Sequence, residues 1–281
     1  MVNKLKKIKK SIKSNKVAAS YAISAVVITA STIALVLVAS TFAYQTLEQQ
    51  RGKSEFNLIQ KSLLNFDDAI RDVAWTLEGS RYTRFVMDYG QLNLFPDDSL
   101  DMIVSVFVGE TPINETTYST GYIQYSIPTR YITFGQRDPF YVLGDNRTIV
   151  TEGTESLGRI LVTQESGWVS ADLDYRVRAI ETSSINVDDD VVSYVNIWVI
   201  KMNIDNYSEY VGNLDLTVRA NNIETYPVPN DDPYTIPSED QFENNCKIVV
   251  NFGNQSHEEY LTLSGNKVVF NFIVSDVEIS P

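Results

Sequence analysis

The order of charged, apolar and mixed stretches divides the chain into distinct parts. Residues 4–16 are rich in lysine, and residues 17–44 contain no charged residue, no glycine and no proline. A helix rises about 1.5 Å per residue, so this apolar stretch exceeds the roughly 30 Å of hydrocarbon in a bilayer. We therefore predict a basic leader over residues 1–16 and a transmembrane helix over residues 17–44.

A second helical pattern follows the apolar stretch. Apolar residues recur at steps of three and four, and Glu55, Lys61, Asp67 and Asp68 fall between them. This spacing predicts an amphipathic helical extension over residues 45–80, with a soft point at Gly52. The apolar stripe consists of Phe56, Ile59, Leu63, Phe66, Ile70 and Val73. Its short length favours packing on the chain's own globular domain over a coiled coil.

The end of the helix and the beginning of a β-rich region are marked by a change of pattern near residue 80. Gly79 is a plausible helix terminus, because glycine readily adopts the left-handed conformation there. Short β-branched and aromatic runs follow, including one at residues 130–134. Residues 261–263 and 268–274 flank a turn signal and predict a hairpin.

Two of the later runs alternate cleanly between apolar and polar residues, at residues 173–179 and 214–219. Alternation is typical of half-buried antiparallel strands, so Asp174 and Arg176 are expected to face solvent. The fold class is therefore predicted to be α+β. A long N-terminal helix precedes a mainly antiparallel, β-sandwich-like domain over residues 81–281.

Charge predicts how the chain is oriented in the membrane. Residues 1–45 carry seven lysines and no acidic residue, which places the N-terminus in the cytoplasm and the β domain outside. The remaining 16 basic residues face 36 acidic ones, so residues 46–281 carry a formal charge of −20. Such a domain disfavours nucleic acid as a partner. We expect a single-pass cell-membrane protein whose helix contacts membrane lipid.

Recognisable catalytic and metal-binding motifs are absent from the sequence. His257 is expected to be a solvated surface residue, and Cys246 a buried thiol in a strand over residues 246–252. Acidic clusters at residues 188–190 and 230–232 are read as solvated turns rather than calcium sites. We therefore expect no cofactor and no enzymatic activity. A hydrolase would need two carboxylates brought together by folding.

Four Asn-X-Ser/Thr motifs lie in the part of the chain that is predicted to be external, where glycosylation takes place. Their asparagines are Asn114, Asn146, Asn206 and Asn254.

The N-terminal layout resembles that of archaeal type IV pilin-like proteins, the superfamily that also contains archaeal flagellar filament subunits. The matching features are the lysine leader, the sequence Ala18-Ala19-Ser20, the unbroken segment 21–44, the amphipathic continuation and the β-rich head. The resemblance implies a class III signal peptide that a membrane peptidase removes near Ala18, Ala19 or Ser20. It also implies that the helix then packs with like subunits in a surface filament.

Three functions are compatible with these patterns. The leading one is a type IV pilin-like surface subunit with a structural or adhesive role, including that of a minor pilin. The second is a single-span anchor that presents a β-sandwich binding domain and does not assemble into filaments. The third and weakest is an extracellular hydrolase.

The predicted orientation can be tested by adding protease to intact cells. We expect the protease to remove the β domain while residues 17–44 stay protected, because seven lysines hold the N-terminus in the cytoplasm. Lysed cells provide the control, since both ends of the chain are then accessible. Cleavage in intact cells that is restricted to the lysine-rich end would show that the orientation is wrong.

Overall fold

The computed structural model describes residues 2–132, 138–228, 232–237 and 246–281, and it describes side chains at residue 21 and from residue 23 onward. One helix, α1 (Val2–Ala74), is followed by thirteen described strands. The α+β layout, with its long N-terminal helix, is confirmed. Contacts divide the chain into two units, Met1–Arg51 and Gly52–Pro281.

All the described strands belong to one hydrogen-bonded sheet. In chain order they are β1 (Ser80–Val108), β2 (Thr111–Pro128), β3 (Phe140–Leu143), β4 (Ile149–Val150), β5 (Gly158–Glu165), β6 (Trp168–Tyr175), β7 (Val177–Val187), β8 (Asp190–Asn203), β9 (Ser208–Val228), β10 (Tyr234–Thr235), β11 (Cys246–Phe252), β12 (Gln255–Leu261) and β13 (Lys267–Ser280).

The main path through the sheet is β3-β5-β6-β2-β1-β9-β13-β8-β7-β4. Strand β10 pairs with β13, and the β11–β12 hairpin joins the sheet through β1. Most ladders are antiparallel, but β8 with β13 and β4 with β7 are parallel. The sheet is therefore mixed, and the predicted sandwich is not confirmed.

The C-terminal part of α1 supplies one wall of the first hydrophobic core. All six stripe residues are buried, none more than 3% exposed. Phe56 meets Tyr125 of β2 with ring centroids 6.0 Å apart, and Phe66 meets Phe85 of β1 at 5.9 Å. Ser62 also donates a hydrogen bond to the carbonyl of Arg84. The helix thus covers both a sheet face and part of β1, where unpaired strand groups would otherwise remain.

A second hydrophobic core lies in the part of the domain that α1 does not contribute to. It brings residues of β1 and β11, such as Val104 and Ile248, together with residues of β8 and β13, such as Ile197 and Phe270. Cys246 is buried in this core at the start of β11, as predicted. Burial raises the pKa of its thiol to about 12, so it remains protonated at neutral pH.

The predicted helix end is wrong in detail, and the predicted soft point at Gly52 stays a prediction. The helix ends at Ala74, and the left-handed residue is Glu78, with φ of 62°, rather than Gly79. Gly79 is needed for a different reason, because a Cβ there would lie 2.8 Å from the carbonyl oxygen of Thr76. Gly52 lies within the continuous helix, where a Cβ would lie only 2.6 Å from that of Tyr131. It is therefore a close-packing position.

Two predicted β elements are also wrong. Residues 130–131 form a turn instead of a strand, and residues 133–134 lie outside the described residues. Strand β12 pairs with β11 and not with β13, so the predicted hairpin does not form. The intervening segment bonds elsewhere, because the Asn266 N–H donates to the Val191 carbonyl and the Gly265 N–H to Ser193 Oγ.

The alternating run at residues 173–179 is divided between β6 and β7, and Asp174 and Arg176 are buried rather than solvated. Asp174 accepts two hydrogen bonds from Arg159, each 2.8 Å long, within the sheet. Arg176 separates the two strands, and its Nη1 donates to Asp145 at 2.8 Å. The run at residues 214–219 does alternate between buried and more exposed positions, as predicted.

The stripe offers a direct test of core packing. Replacing Leu63, which is fully buried, with alanine is expected to lower the free energy of unfolding by roughly 2–5 kcal/mol, because it leaves a cavity. Leu58→Ala is the matched control, since Leu58 is on the same helix but 58% exposed. Its effect should stay within about 0.5 kcal/mol. Equal effects in urea unfolding would contradict the observed packing.

Candidate functional site: the N-terminal helix and its attachment

The first part of α1 presents an apolar surface. Ile23, Leu35 and Phe42 are 65%, 69% and 71% exposed, respectively, and residues 21 and 23–44 are all classed as exposed. Among the described residues, one helical segment, Ile23–Ala74, is long and apolar enough to cross a membrane, by length and composition alone. The uncovered apolar surface of residues 23–44 is unfavourable in water.

Four hydroxyl side chains on this segment are satisfied within the helix. Each of them donates to the carbonyl four residues earlier, at 2.8–2.9 Å. The pairs are Thr29 with Ala25, Ser31 with Val27, Thr32 with Ile28, and Thr41 with Leu37. These hydroxyls need no water to satisfy their donors, and their small size permits close approach of another helix. The arrangement suits both lipid and a helical partner.

Glu55 is the first polar anchor between α1 and the sheet. Sequence analysis placed it on the polar side of the helix, but it is only 7% exposed. Its carboxylate accepts hydrogen bonds from the backbone N–H groups of Asp88, Tyr89 and Gly90, and from the Tyr125 hydroxyl at 2.7 Å. Burial and the neighbouring carboxylate raise the pKa of Tyr125, which keeps it a donor. Four donors therefore compensate the buried charge.

Asp67 is the second anchor, three turns further along the helix. It was also predicted to lie on the polar side, yet it is 1% exposed. It accepts hydrogen bonds from the Tyr175 hydroxyl at 2.8 Å and from Arg71 Nε at 2.9 Å. Burial raises the pKa of Asp67, and Arg71 acts against that shift. A Cβ at Gly158 would lie 1.9 Å from the Asp67 carboxylate, so glycine is required at this contact.

The end of α1 is fixed by a third polar contact. Ser275 of β13 is fully buried and donates its hydroxyl proton to the carbonyl of Ala74 at 2.6 Å. This carbonyl lies in the last turn of the helix, where intrahelical partners run out. The three anchors lie near residues 55, 67 and 74 and thereby set the register of the helix on the domain.

Strand β6 carries two neighbouring carboxylates, those of Asp172 and Asp174. Asp174 is occupied by Arg159, which donates to both of its oxygens. Asp172 has a buried Oδ1 that no described residue bonds, and burial raises the pKa of this carboxyl group to about 6. Because Asp174 is held as an ion-pair acceptor, this pair does not provide two free carboxyl groups for acid–base chemistry.

The remaining sequence-predicted positions are separate from the anchors. Asn146, Asn206 and Asn254 are exposed, whereas Asn114 is half-buried in β2 and donates to Thr116. Ala18, Ala19 and Ser20 lie within α1, where the structure describes the backbone and not their side chains.

The predicted metal and acidic sites also lie away from the anchors. His257 was predicted to be solvated but is half-buried, and its Nδ1 is buried with no hydrogen-bond partner within the described ranges. Asp190 is held by Lys267, and Asp231 lies outside the described residues. Among the residues that were described, no group of three or more His, Cys, Asp and Glu side chains could hold a metal ion.

Comparison with protein-family models, curated proteins and solved structures finds no match to this chain. The functional argument therefore depends on the chain's own residues and their geometry.

The Glu55 anchor can be tested by a double-mutant cycle. Glu55→Gln should lower the free energy of unfolding by roughly 3 kcal/mol, because backbone donors lose a charged acceptor, and Tyr125→Phe by about 1–3 kcal/mol. The double variant should lower the free energy of unfolding by less than the sum of the two single effects, since the two residues share one hydrogen bond. Lys61→Gln, at an exposed position on the same helix, is the control. Strict additivity in urea unfolding would refute the anchor.

Proposed function

We propose that this protein is a membrane-anchored cell-surface subunit of the type IV pilin-like class, with a structural or adhesive role. Residues 17–44 would be the assembly element, and the β-rich domain the surface exposed outside the cell. Like subunits or other pilin-like proteins would pack against the helix after a leader peptidase has removed the basic leader.

The observation that carries the proposal is that one helix meets two opposite requirements. Its first part is apolar and exposed, with hydroxyl groups bonded back to the helix. Its last part is inserted into the core of the β domain and held by Glu55 and Asp67. A helix that served only the β domain would not need the uncovered apolar part. An assembly element does, because like helices can cover one another's apolar surfaces.

The alternative is a single-span anchor that presents the β domain without assembling. The same apolar surface supports it, since lipid alone can cover residues 21–44. The two functions differ in the fate of the lysine-rich leader. A plain anchor benefits from its lysines at the cytoplasmic face, whereas a bundle of apolar helices would have to desolvate them.

An extracellular hydrolase remains the weakest candidate. Asp172 and Asp174 are the buried carboxylates that could revive it, but Asp174 is engaged by Arg159 at both oxygens. Without a second free carboxyl group, the acid–base pair of a glycosidase is incomplete.

Intact-mass measurement of the native surface protein distinguishes assembly from simple anchoring. We expect the mature N-terminus to lie between residues 18 and 21, because seven ammonium groups cannot enter an apolar bundle without a large desolvation penalty. A variant with both Ala18→Leu and Ala19→Leu removes the small residues at the cleavage position, and should retain the leader and be lost from sheared surface material.

The matched control replaces both Ala22 and Ala25 with leucine, which adds the same bulk further into the helix and should leave processing normal. Native surface protein that still carries residues 4–16 would contradict the assembly proposal and favour the anchored alternative.

A further inference from the structure

The sheet face that points away from the helix core carries a side-chain arrangement that the proposed function does not explain. In β1, Leu92 and Leu94 belong to the core, so the alternate residues Asn93 and Phe95 point to the opposite face. Strand register places Tyr122 of β2 beside Phe95. The outer face of β1 and β2 thus carries aromatic and amide side chains at these positions.

Three aromatic rings form a platform on this face. The rings of Phe95 and Tyr122 are parallel, with centroids 4.2 Å apart and an interplanar angle of 4°. Tyr207, just before β9, meets Phe95 edge-on at 5.3 Å. Tyr207 is 54% exposed, while the other two rings are half-buried. The platform is therefore fixed by ring contacts, and Tyr207 is the ring that it exposes to solvent.

A polar row runs beside the platform, across the same three strands. Register places Asn93 opposite Gln124, and Gln124 opposite Asp172. The amide of Asn93 donates to Gln124 Oε1 at 3.4 Å, and Gln124 is hydrogen-bonded to Asp172. The other oxygen of Asp172, Oδ1, is buried and has no partner in the part of the chain that the structure describes. One acceptor at the end of the row thus lacks a donor among the described residues of the chain.

This unsatisfied acceptor is unfavourable for folding. Burial is the main cause that raises the pKa of Asp172 to about 6, and the neighbouring Asp174 adds to it. Arg159 of β5 acts in the opposite direction, and Tyr122 is the titratable group that faces Asp172 from β2. A charged oxygen kept without a donor lowers stability at neutral pH, as is common at binding sites.

We propose that the strip formed by Asn93, Phe95, Tyr122, Gln124, Asp172 and Tyr207 binds a neutral pyranose unit of a glycan. A pyranose presents an apolar C–H face, which stacks on aromatic rings, and a rim of hydroxyl groups. Those hydroxyls can donate to Asp172 Oδ1 and exchange hydrogen bonds with the amides. The chain's charge of −13 and the carboxylate of Asp172 disfavour an acidic sugar.

The inference deepens the adhesive role, and rests on the proposed function only in that the β domain lies outside the cell. It does not require filament assembly. The sugar could belong to an external polymer or to a glycan on Asn206, which directly precedes Tyr207. Both sources offer the same pyranose chemistry to the strip.

Binding of neutral oligosaccharides tests the proposal. The full chain, produced without glycosylation and kept in a detergent that has no sugar headgroup, is passed over immobilised gluco-, galacto-, manno- and N-acetylglucosamine oligosaccharides. We expect retention by at least one probe and a loss of affinity of about tenfold for Tyr207→Ala, whose exposed ring can be removed without disturbing the core.

Tyr82→Ala is the matched control, because Tyr82 is 71% exposed and lies outside the strip. The affinity of this variant for the oligosaccharide probe should equal that of the unchanged protein. Retention by none of the probes would overturn the proposal, as would an equal loss in the two tyrosine variants. Native protein that carries a glycan on Asn206 and no longer binds the probe, while the Asn206→Gln variant does, would support the strip with its own glycan as occupant.

Asp172→Asn separates a binding role from a purely structural one. The raised pKa of Asp172 means that folding favours the protonated carboxyl group. The stability that this group contributes is present below about pH 4 and is lost as the pH rises through about 6. The variant should therefore melt at a higher temperature than the unchanged protein at pH 7.5, with a smaller difference at pH 4.5. It should also bind the probe more weakly at pH 7.5.

The control for this variant is Asp189→Asn at an exposed turn, which should change neither the melting temperature nor the affinity for the probe. Asp172→Asn protein that melts lower at pH 7.5, or that binds the probe with unchanged affinity, would overturn the role of Asp172.

Discussion

The two parts of α1 need different surroundings, and the rest of the structure depends on this difference. Residues 23–44 expose apolar side chains and bond four of their hydroxyls back to the helix, so water is a poor environment for them. Residues from Phe56 onward are enclosed by the β domain. Any account of function therefore has to name what covers the first part of the helix, and lipid and like helices are the two covers that this surface suits.

The buried carboxylates explain how the second part of the helix is held. Hydrophobic packing is non-directional, so the stripe alone would tolerate rotation or sliding of the helix. Glu55 requires the N–H groups of residues 88–90 and the Tyr125 hydroxyl, and Asp67 requires Tyr175. A one-residue shift would leave both charges buried without donors, which is strongly unfavourable. The anchors therefore specify one register, and the stripe supplies most of the apolar contact.

The helix and its apolar stripe were predictable because their signals are local. Steps of three and four residues identify a helical face without knowledge of its partner. The anchors were not predictable, since Tyr125 and Tyr175 lie 70 and 108 residues from the carboxylates that they bind. The failed hairpin has a similar cause. Residues 264–266 carry turn chemistry, but their hydrogen bonds go to β7 and β8, which local sequence does not reveal.

The side-chain arrangement on the outer face of β1, β2 and β6 was not predictable for a similar reason. Alternation predicts which residues leave the core, but not which strands become neighbours. Only the register of β1, β2 and β6 brings Asn93, Gln124 and Asp172 into one row. The aromatic platform likewise needs Tyr207, which is far from Phe95 in the chain and meets it only because β9 pairs with β1.

Cysteine cross-linking along the helix tests the central claim most directly. Cys246 is the chain's single cysteine, so a Cys246→Ser background allows one new cysteine at a time at positions 26–38. Oxidation of surface material from intact cells should give cross-linked dimers at positions that recur every three or four residues, as expected where like helices pack. Monomers at every position would contradict assembly through the helix and leave lipid as its only cover.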